Sequence, residues 1–491
     1  MNQVNTRLVT ALTLVATIGG LLFGYDTAVI SGAVASIDIY FIDPLQLSET
    51  ARGVLSGLTI SSALIGCIIG AAVAGWASTT LGRRGGLLLS AVIFVVSSLG
   101  AAVPEFGFGP IGEMGPDAVV QFIFYRVLAG VAVGIASMLS PLYIAEIAPP
   151  SVRGRLVSLN QLAIVSGMVL VYFVNWYIAL QGDENWLHAI GWRLMLASCA
   201  VPGAIFFICL LFVPDTPRWY VLKGREDEAL TVLRRLTEEK EATATLADIK
   251  RTLVVRTAPL FSFGVGVIIV GIMMSVFQQL VGINAVLYYA PLMFSNMGAS
   301  TDSALLQTII VGIANVVFTL IAIATVDKWG RKPLLVTGAI VMAISMIVLG
   351  FLFNAHAVGL GALIAVVAYI GGFALSWGPV TWVLLSEMFP NSIKGRALAI
   401  AVAAQWIANL FVSWSFKVID GNSVLNALFN HGFAYWVYGV MSILAALFVI
   451  RYVPETKGRS LEAIQDLWGR GRAGAAGAQP VAPVGAVADR K

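Results

Sequence analysis

Charge is what this chain has least of. Lys and Arg number 30 and Asp and Glu 26 in 491 residues, so 11% of positions are charged, against about 25% in soluble domains. That scarcity excludes an ordinary water-soluble globule. The formal net charge of +4 is small and scattered, which gives no footprint for nucleic acid. Cysteine is nearly absent too: Cys67, Cys199 and Cys209 all sit inside apolar runs, and an odd number so placed builds no disulfide framework. The three histidines, His188, His356 and His431, fall near predicted external loops without acids or metal ligands clustered around them. A membrane enzyme therefore has little support, and neither a metal nor another cofactor is expected. A cleavable signal peptide is missing as well, because the first apolar run, from Leu8, contains Asp26 and lacks a small-residue cleavage site. It reads as a first transmembrane helix.

What the chain does have is long apolar runs, with 58% of residues hydrophobic. Runs of about 20 apolar residues mark bilayer spans. They predict twelve, at about 8–35, 53–78, 85–104, 118–147, 155–180, 192–213, 262–297, 303–326, 333–354, 358–387, 395–418 and 432–453. The loops between them alternate in charge. One set carries Arg83, Arg84, Arg153, Arg155, Lys328, Arg331, Lys332, Lys394, Arg396, Lys457 and Arg459, while the other holds acids such as Asp38, Asp43, Glu49, Glu105 and Asp302. The positive-inside rule then puts both termini in the cytoplasm.

One long soluble stretch separates spans six and seven. Residues 223–251 hold fourteen charged positions, and Leu230, Leu233 and Leu236 recur at near-helical spacing, which predicts short amphipathic helices on the cytoplasmic surface. The Gly/Ala/Pro-rich tail after Trp468 has no periodicity and reads as disordered from about residue 469.

The two halves repeat. Glu146-Ile-Ala-Pro149-Pro-Ser-Val-Arg153-Gly-Arg155 returns as Glu387-Met-Phe-Pro390-Asn-Ser-Ile-Lys394-Gly-Arg396. Val213-Pro214-Asp215-Thr216 returns as Val453-Pro454-Glu455-Thr456, and Gly82-Arg83-Arg84 as Gly330-Arg331-Lys332. Three signatures in the same order imply two six-helix halves of the same orientation, residues 1–213 and 262–453. A helical linker at 214–261 joins them, and a cytoplasmic tail follows at 454–491. The fold class expected is an all-α polytopic membrane protein whose pseudo-symmetric halves rock about a midplane site.

Span seven breaks the apolar rule. Gln278, Gln279, Asn284, Tyr288 and Tyr289 lie around Gly282 in a segment otherwise fit for lipid. Uncharged polar groups in hydrocarbon cost several kcal/mol unless partnered, so they face the bundle interior. Helical spacing predicts one polar side, and amides, which donate and accept at once, suit a ligand made of hydroxyls.

These signatures resemble the sugar porter family of the major facilitator superfamily, over about residues 8 to 468. The likeness rests on Gly24-Tyr25-Asp26, the glycine-arginine pairs, Pro214-Asp-Thr-Pro217-Arg218, Gln278-Gln279-Leu-Val-Gly-Ile-Asn284 and Pro454-Glu-Thr-Lys457-Gly458. It implies the major facilitator fold and proton-coupled import of D-xylose, with D-glucose as competitor, by a monomer in a bacterial inner membrane. Facilitated uniport and a non-transporting sensor are the other readings. The resemblance carries a sugar-binding role onto Gln161, Gln278, Gln279, Asn284, Trp382, Gln405 and Trp406, with Phe23, Tyr288 and Asn315 lining the same cavity. It carries a cytoplasmic gate, paired across the halves, onto Arg83, Glu146, Arg153, Asp327, Arg331, Glu387, Lys394 and Arg396. Thr79 stands where members often have an acid before the first Gly-Arg-Arg, which puts a charge relay there in doubt.

Asp26 in span one and Arg126 in span four are the acid and base set well inside the early spans. Either ion alone is expensive there, so the two are expected to pair. A carboxylate that alternates between a paired and a desolvated setting can couple a proton to sugar movement.

Overall fold

In the computed structural model, residues 5–149, 153–253, 259–357, 359–389 and 393–457 are described. Twelve helices among them are long and apolar enough to cross a bilayer. Spans 1 to 6 are Thr6–Gly32, Glu49–Thr80, Gly82–Ala102, Gly115–Ile147, Arg155–Ala179 and Glu184–Leu211. Spans 7 to 12 are Val265–Asn296, Thr301–Thr325, Arg331–Asn354, Leu360–Leu385, Lys394–Asp420 and Phe433–Tyr452. Within their unbroken stretches they close their backbone hydrogen bonds along the helix, as lipid requires. The sequence-predicted spans therefore recur within a few residues, apart from the start of span 6. The two halves also share one arrangement of six.

Between the halves lie the amphipathic helices Pro217–Leu222, Glu226–Leu236 and Glu239–Leu253. The second buries Ala229, Val232, Leu233 and Leu236. Its C-terminal end takes the start of span 1, because the Asn5 amide donates to the Leu236 carbonyl at 2.9 Å. The expected disorder of the tail falls outside the described residues.

Small residues set how closely the site-bearing spans approach. A side chain on Gly24 of span 1 would run into the Ile164 carbonyl of span 5. Gly130 of span 4 stands in the same relation to Ala63 of span 2. Without side chains there, backbones touch, as small residues allow in membranes. Span 1 is thus drawn onto span 5 and span 2 onto span 4, and residues of spans 1, 2 and 4 line one small cavity that holds Asp26 and Arg126.

Spans 7 and 10 are broken. Span 7 stops at Leu280 and restarts at Ile283, with Gly282 at φ +94°. A Cβ at Gly282 would also strike the Tyr438 ring. Span 10 stops at Leu375 and restarts at Trp377. The continuous helix expected through residues 278–282 is therefore interrupted. The break frees carbonyls that protein groups must satisfy at membrane depth.

The halves meet at the face opposite the linker helices. There Lys417 Nζ of span 11 lies 2.8 Å from Asp38 Oδ2. Glu49 accepts from the Ser423 amide at 3.3 Å and Glu184 from the Thr301 hydroxyl at 3.0 Å.

Candidate substrate and coupling sites

Broken spans 7 and 10 satisfy each other. Tyr369 of span 10 donates its hydroxyl to the Val281 carbonyl at the span 7 break, at 2.7 Å. In return Gln278 Nε2 donates to the Trp377 carbonyl at the span 10 break, at 2.8 Å. The Gln278 Oε1 accepts from Gln279 Nε2 at 3.4 Å, and Gln279 Oε1 accepts from Asn284 Nδ2 at 2.6 Å. The break lets Asn284, five residues on, curl back onto Gln279. A relay of three amides results, anchored at one end on backbone and ending at the half-buried Asn284. Gln278 thus holds the fold together, while Gln279 and Asn284 stand further along the relay. Tyr369 and the Trp377 carbonyl were not legible as site groups, because nothing in the sequence marks where span 10 breaks.

Across the interface, the Phe23 ring of span 1 packs 5.4 Å from the Trp406 indole of span 11. Gln161, Trp382 and Gln405 are half-buried on spans 5, 10 and 11, and Asn315 is buried on span 8. Gln405 Oε1 is buried without a partner. Such an unpaired acceptor in hydrocarbon is costly, and a substrate hydroxyl would relieve it. Tyr288 turns instead toward the first half: it lines a small enclosed cavity with Asp26, Thr27, Cys67 and Arg126. That placement differs from the sugar-facing role expected for it.

Asp26 and Arg126 do pair. Arg126 Nη1 donates to Asp26 Oδ1 at 2.8 Å, with both residues at least 95% buried. The contact is one-armed, since Arg126 Nε has no partner among the described residues. A bidentate clamp would hold both carboxylate oxygens; this pair leaves the Arg126 Nε unused.

The charges at the linker face pair differently from expectation. Arg83 grips Glu146 by two bonds, of 2.9 and 2.8 Å, and Thr216 donates to the same carboxylate at 2.6 Å. Asp215 accepts from the amides of Arg83 and Arg84 at 3.0 and 3.2 Å. The second half repeats this with other residues. Arg331 grips Glu387 at 3.2 and 2.8 Å, Thr456 donates at 2.6 Å, and Glu455 accepts from the amides of Arg331 and Lys332. Among the described residues, these bonds join each constellation to its own half and to the segment that follows it, while the halves are joined at the other face. Arg153 donates to the Ala148 carbonyl at 3.3 Å, Lys394 is half-buried and Arg396 exposed. The Asp327 side chain lies outside the described residues. The repeated Asp215/Glu455 and Thr216/Thr456 positions were visible as a repeat, but their role needed coordinates. Burial pushes the Asp215 carboxyl above its ordinary value. Burial acts the same way on Glu455, but the amides of Lys457, Arg331 and Lys332 outweigh it and hold that carboxyl below.

A second buried pair escaped the sequence reading. Arg193, on span 6 at the face opposite the linker helices, donates to Glu105 at 2.6 and 2.9 Å and stacks 4.4 Å over the Trp192 ring. Burial alone would raise the Glu105 carboxyl, but the Arg193 guanidinium and the Tyr40 hydroxyl hold it below its ordinary value.

A polar relay at broken helices between two six-span halves is the layout of a membrane carrier. The chain belongs to the sugar (and other) transporter family, whose model matches residues 12–468. It is 53% identical over 478 residues to the D-xylose-proton symporter of Escherichia coli, covering 95% of this chain and 97% of that one. It is 50% identical over 465 residues to the glucose facilitated diffusion protein of Zymomonas mobilis, covering 94% and 98%. The inward-open structure of the E. coli xylose transporter superposes with a TM-score of 0.85 at 51% identity, covering 94% and 100%.

Proposed function

We propose that this chain is a proton-coupled symporter that imports D-xylose, with D-glucose as a competing ligand. It is a carrier and not an enzyme. The observation that carries the coupling is the buried, one-armed Asp26–Arg126 pair. As the halves rock, Asp26 exchanges its single guanidinium bond for the transported proton and back. The kinship with the E. coli symporter supports the sugar. The amide relay of span 7, with Gln161, Trp382, Gln405, Trp406, Phe23 and Asn315, forms the sugar site. Hydroxyls replace the amide-to-amide bonds, and the Trp faces cover the C–H side of the ring.

The halves, residues 1–213 and 262–453, rock about this site as a monomer in the bacterial inner membrane, with both termini and the linker helices in the cytoplasm. The basic loops on that side favour this orientation. The linker-face constellations keep each half rigid while the gap between them opens and closes.

A second reading, facilitated uniport, has a specific support in the similarity to the Z. mobilis glucose protein. Proteoliposomes separate the two. Labelled D-xylose should accumulate above equilibrium when the lumen is alkaline, and collapse of the proton gradient should abolish that accumulation. Equilibration without accumulation would make it a uniporter. Absence of xylose entry and counterflow would refute the sugar assignment.

A further inference from the structure

We propose that Asp38 and Lys417 form the latch that holds the two halves shut at the outer face, and so set the balance between the inward- and outward-open forms. This rests on the carrier reading above. Asp38 follows span 1 in the first half, and Lys417 lies in the last turns of span 11 in the second. Their 2.8 Å contact is a buried ion pair crossing the interface, with side chains 6% and 9% exposed. Gly57 makes the approach possible: a Cβ there would meet the Trp414 carbonyl at 2.8 Å and Lys417 Cβ at 3.3 Å. The pair floors an outward-facing cavity of about 510 Å³, also lined by Glu49, Arg52, Ser56 and His431.

The surroundings of the two ions are unequal. Asp38 keeps partners in its own half, since Ser56 donates to Oδ1 at 2.5 Å and Arg52 Nη2 lies 4.0 Å from Oδ2. Among the described residues, Lys417 has one acid within salt-bridge reach, Asp38. Of the other charges at this cavity, Asp43 is engaged by Arg52 at 2.7 Å and Asp420 by His431 at 2.8 Å, while Glu49 caps the Ser423 amide. A buried ion pair nearly balances desolvation against attraction. Such a contact can therefore open and reclose within a transport cycle. Removing one partner upsets that balance in the closed form alone, because the open form hydrates the ion left behind.

An order of effects follows. Asp38→Asn strands the lysine and should favour outward opening most. Lys417→Met leaves a carboxylate still served by Ser56 and Arg52 and should act less. The double variant strands no ion and should return toward wild type.

Nitroxide labels at Leu45→Cys and Val424→Cys, both exposed positions on opposite halves, report the outer gap by electron–electron double resonance. The background would carry alanine at Cys67, Cys199 and Cys209. The expected result for Asp38→Asn is a shift of about tenfold or more toward the long-distance population, a smaller shift for Lys417→Met, and near-wild-type distances for the double variant. An unmoved distribution in both single variants, or a double variant as open as Asp38→Asn, would overturn the latch. If Asp38→Asn does not fold, Lys417→Met and the double variant decide alone: both unmoved overturns it. The readout needs no sugar, so a wrong substrate leaves this test intact.

Discussion

The two halves share one architecture and differ in where they keep charge. The second half has no charged residue between positions 303 and 326, 333 and 386, or 397 and 416. Its polar interior is made of amides, hydroxyls and indoles. The first half instead places a carboxylate and a guanidinium together inside the membrane. The same contrast separates the arginine pairs. Arg83–Glu146 and Arg331–Glu387 are two-armed, supported by a threonine each, and present twice. Arg126–Asp26 is one-armed and lies in the first half alone among the described residues. What both halves duplicate serves the common scaffold. What one half alone carries is what the proposed function assigns to the transport reaction: amides for the sugar on one side, an ionisable pair for the proton on the other. Tyr288 reaches from the second half into the cavity beside that pair, which gives the two functions a physical meeting point.

The largest expected effect would break the scaffold side of this comparison. Glu146→Gln leaves the buried Arg83 without its counter-ion and should lower stability by about 3–5 kcal/mol. Glu387→Gln should cost less, since the Glu387 side chain is 26% exposed against 8% for Glu146. Thermal unfolding in detergent checks the order, and equal losses would contradict it. Next come the amides. An unpartnered hydroxyl or amide costs about 1–3 kcal/mol, so Gln279→Ala should weaken xylose binding several-fold to a hundredfold at unchanged melting temperature. Gln278→Ala should lower both, because Gln278 also satisfies the Trp377 carbonyl. Calorimetry and a melting curve on each variant separate the two roles.

The smallest effect is a titration at the face opposite the linker helices. The Asp420 carboxylate, 2.8 Å away, raises His431 above its ordinary value. The pair is therefore fully formed below about pH 6.5 and is lost as pH rises through the raised value. Its contribution, about 1 kcal/mol or less, should vanish from the melting temperature at high pH and be absent at every pH in His431→Gln.

Much of this was legible in the sequence because lipid leaves few options. Apolar run length located the spans, and the threefold repeat revealed two like halves. The cost of a lone ion in hydrocarbon foretold that Asp26 and Arg126 would meet. The polar character of span 7 was equally visible. What could not be read were relations across long sequence distances that no local preference encodes. Gln278 and Trp377 are 99 residues apart and meet only because two helices break side by side. Nothing in the sequence around Lys417 points to its acid, which stands in the other half. The linker-face charges are a related case: charges on one face choose partners by which face is closed, and a sequence does not state that.

The central claim is that Asp26 links the proton to the sugar, and one variant tests it most directly. In proteoliposomes carrying Asp26→Asn, labelled xylose should no longer accumulate against its gradient, while counterflow exchange and sugar binding persist. Asn keeps the size and a polar contact for Arg126 but cannot cycle a proton. Accumulation at the wild-type level under the same proton gradient would contradict the account and move coupling away from this pair.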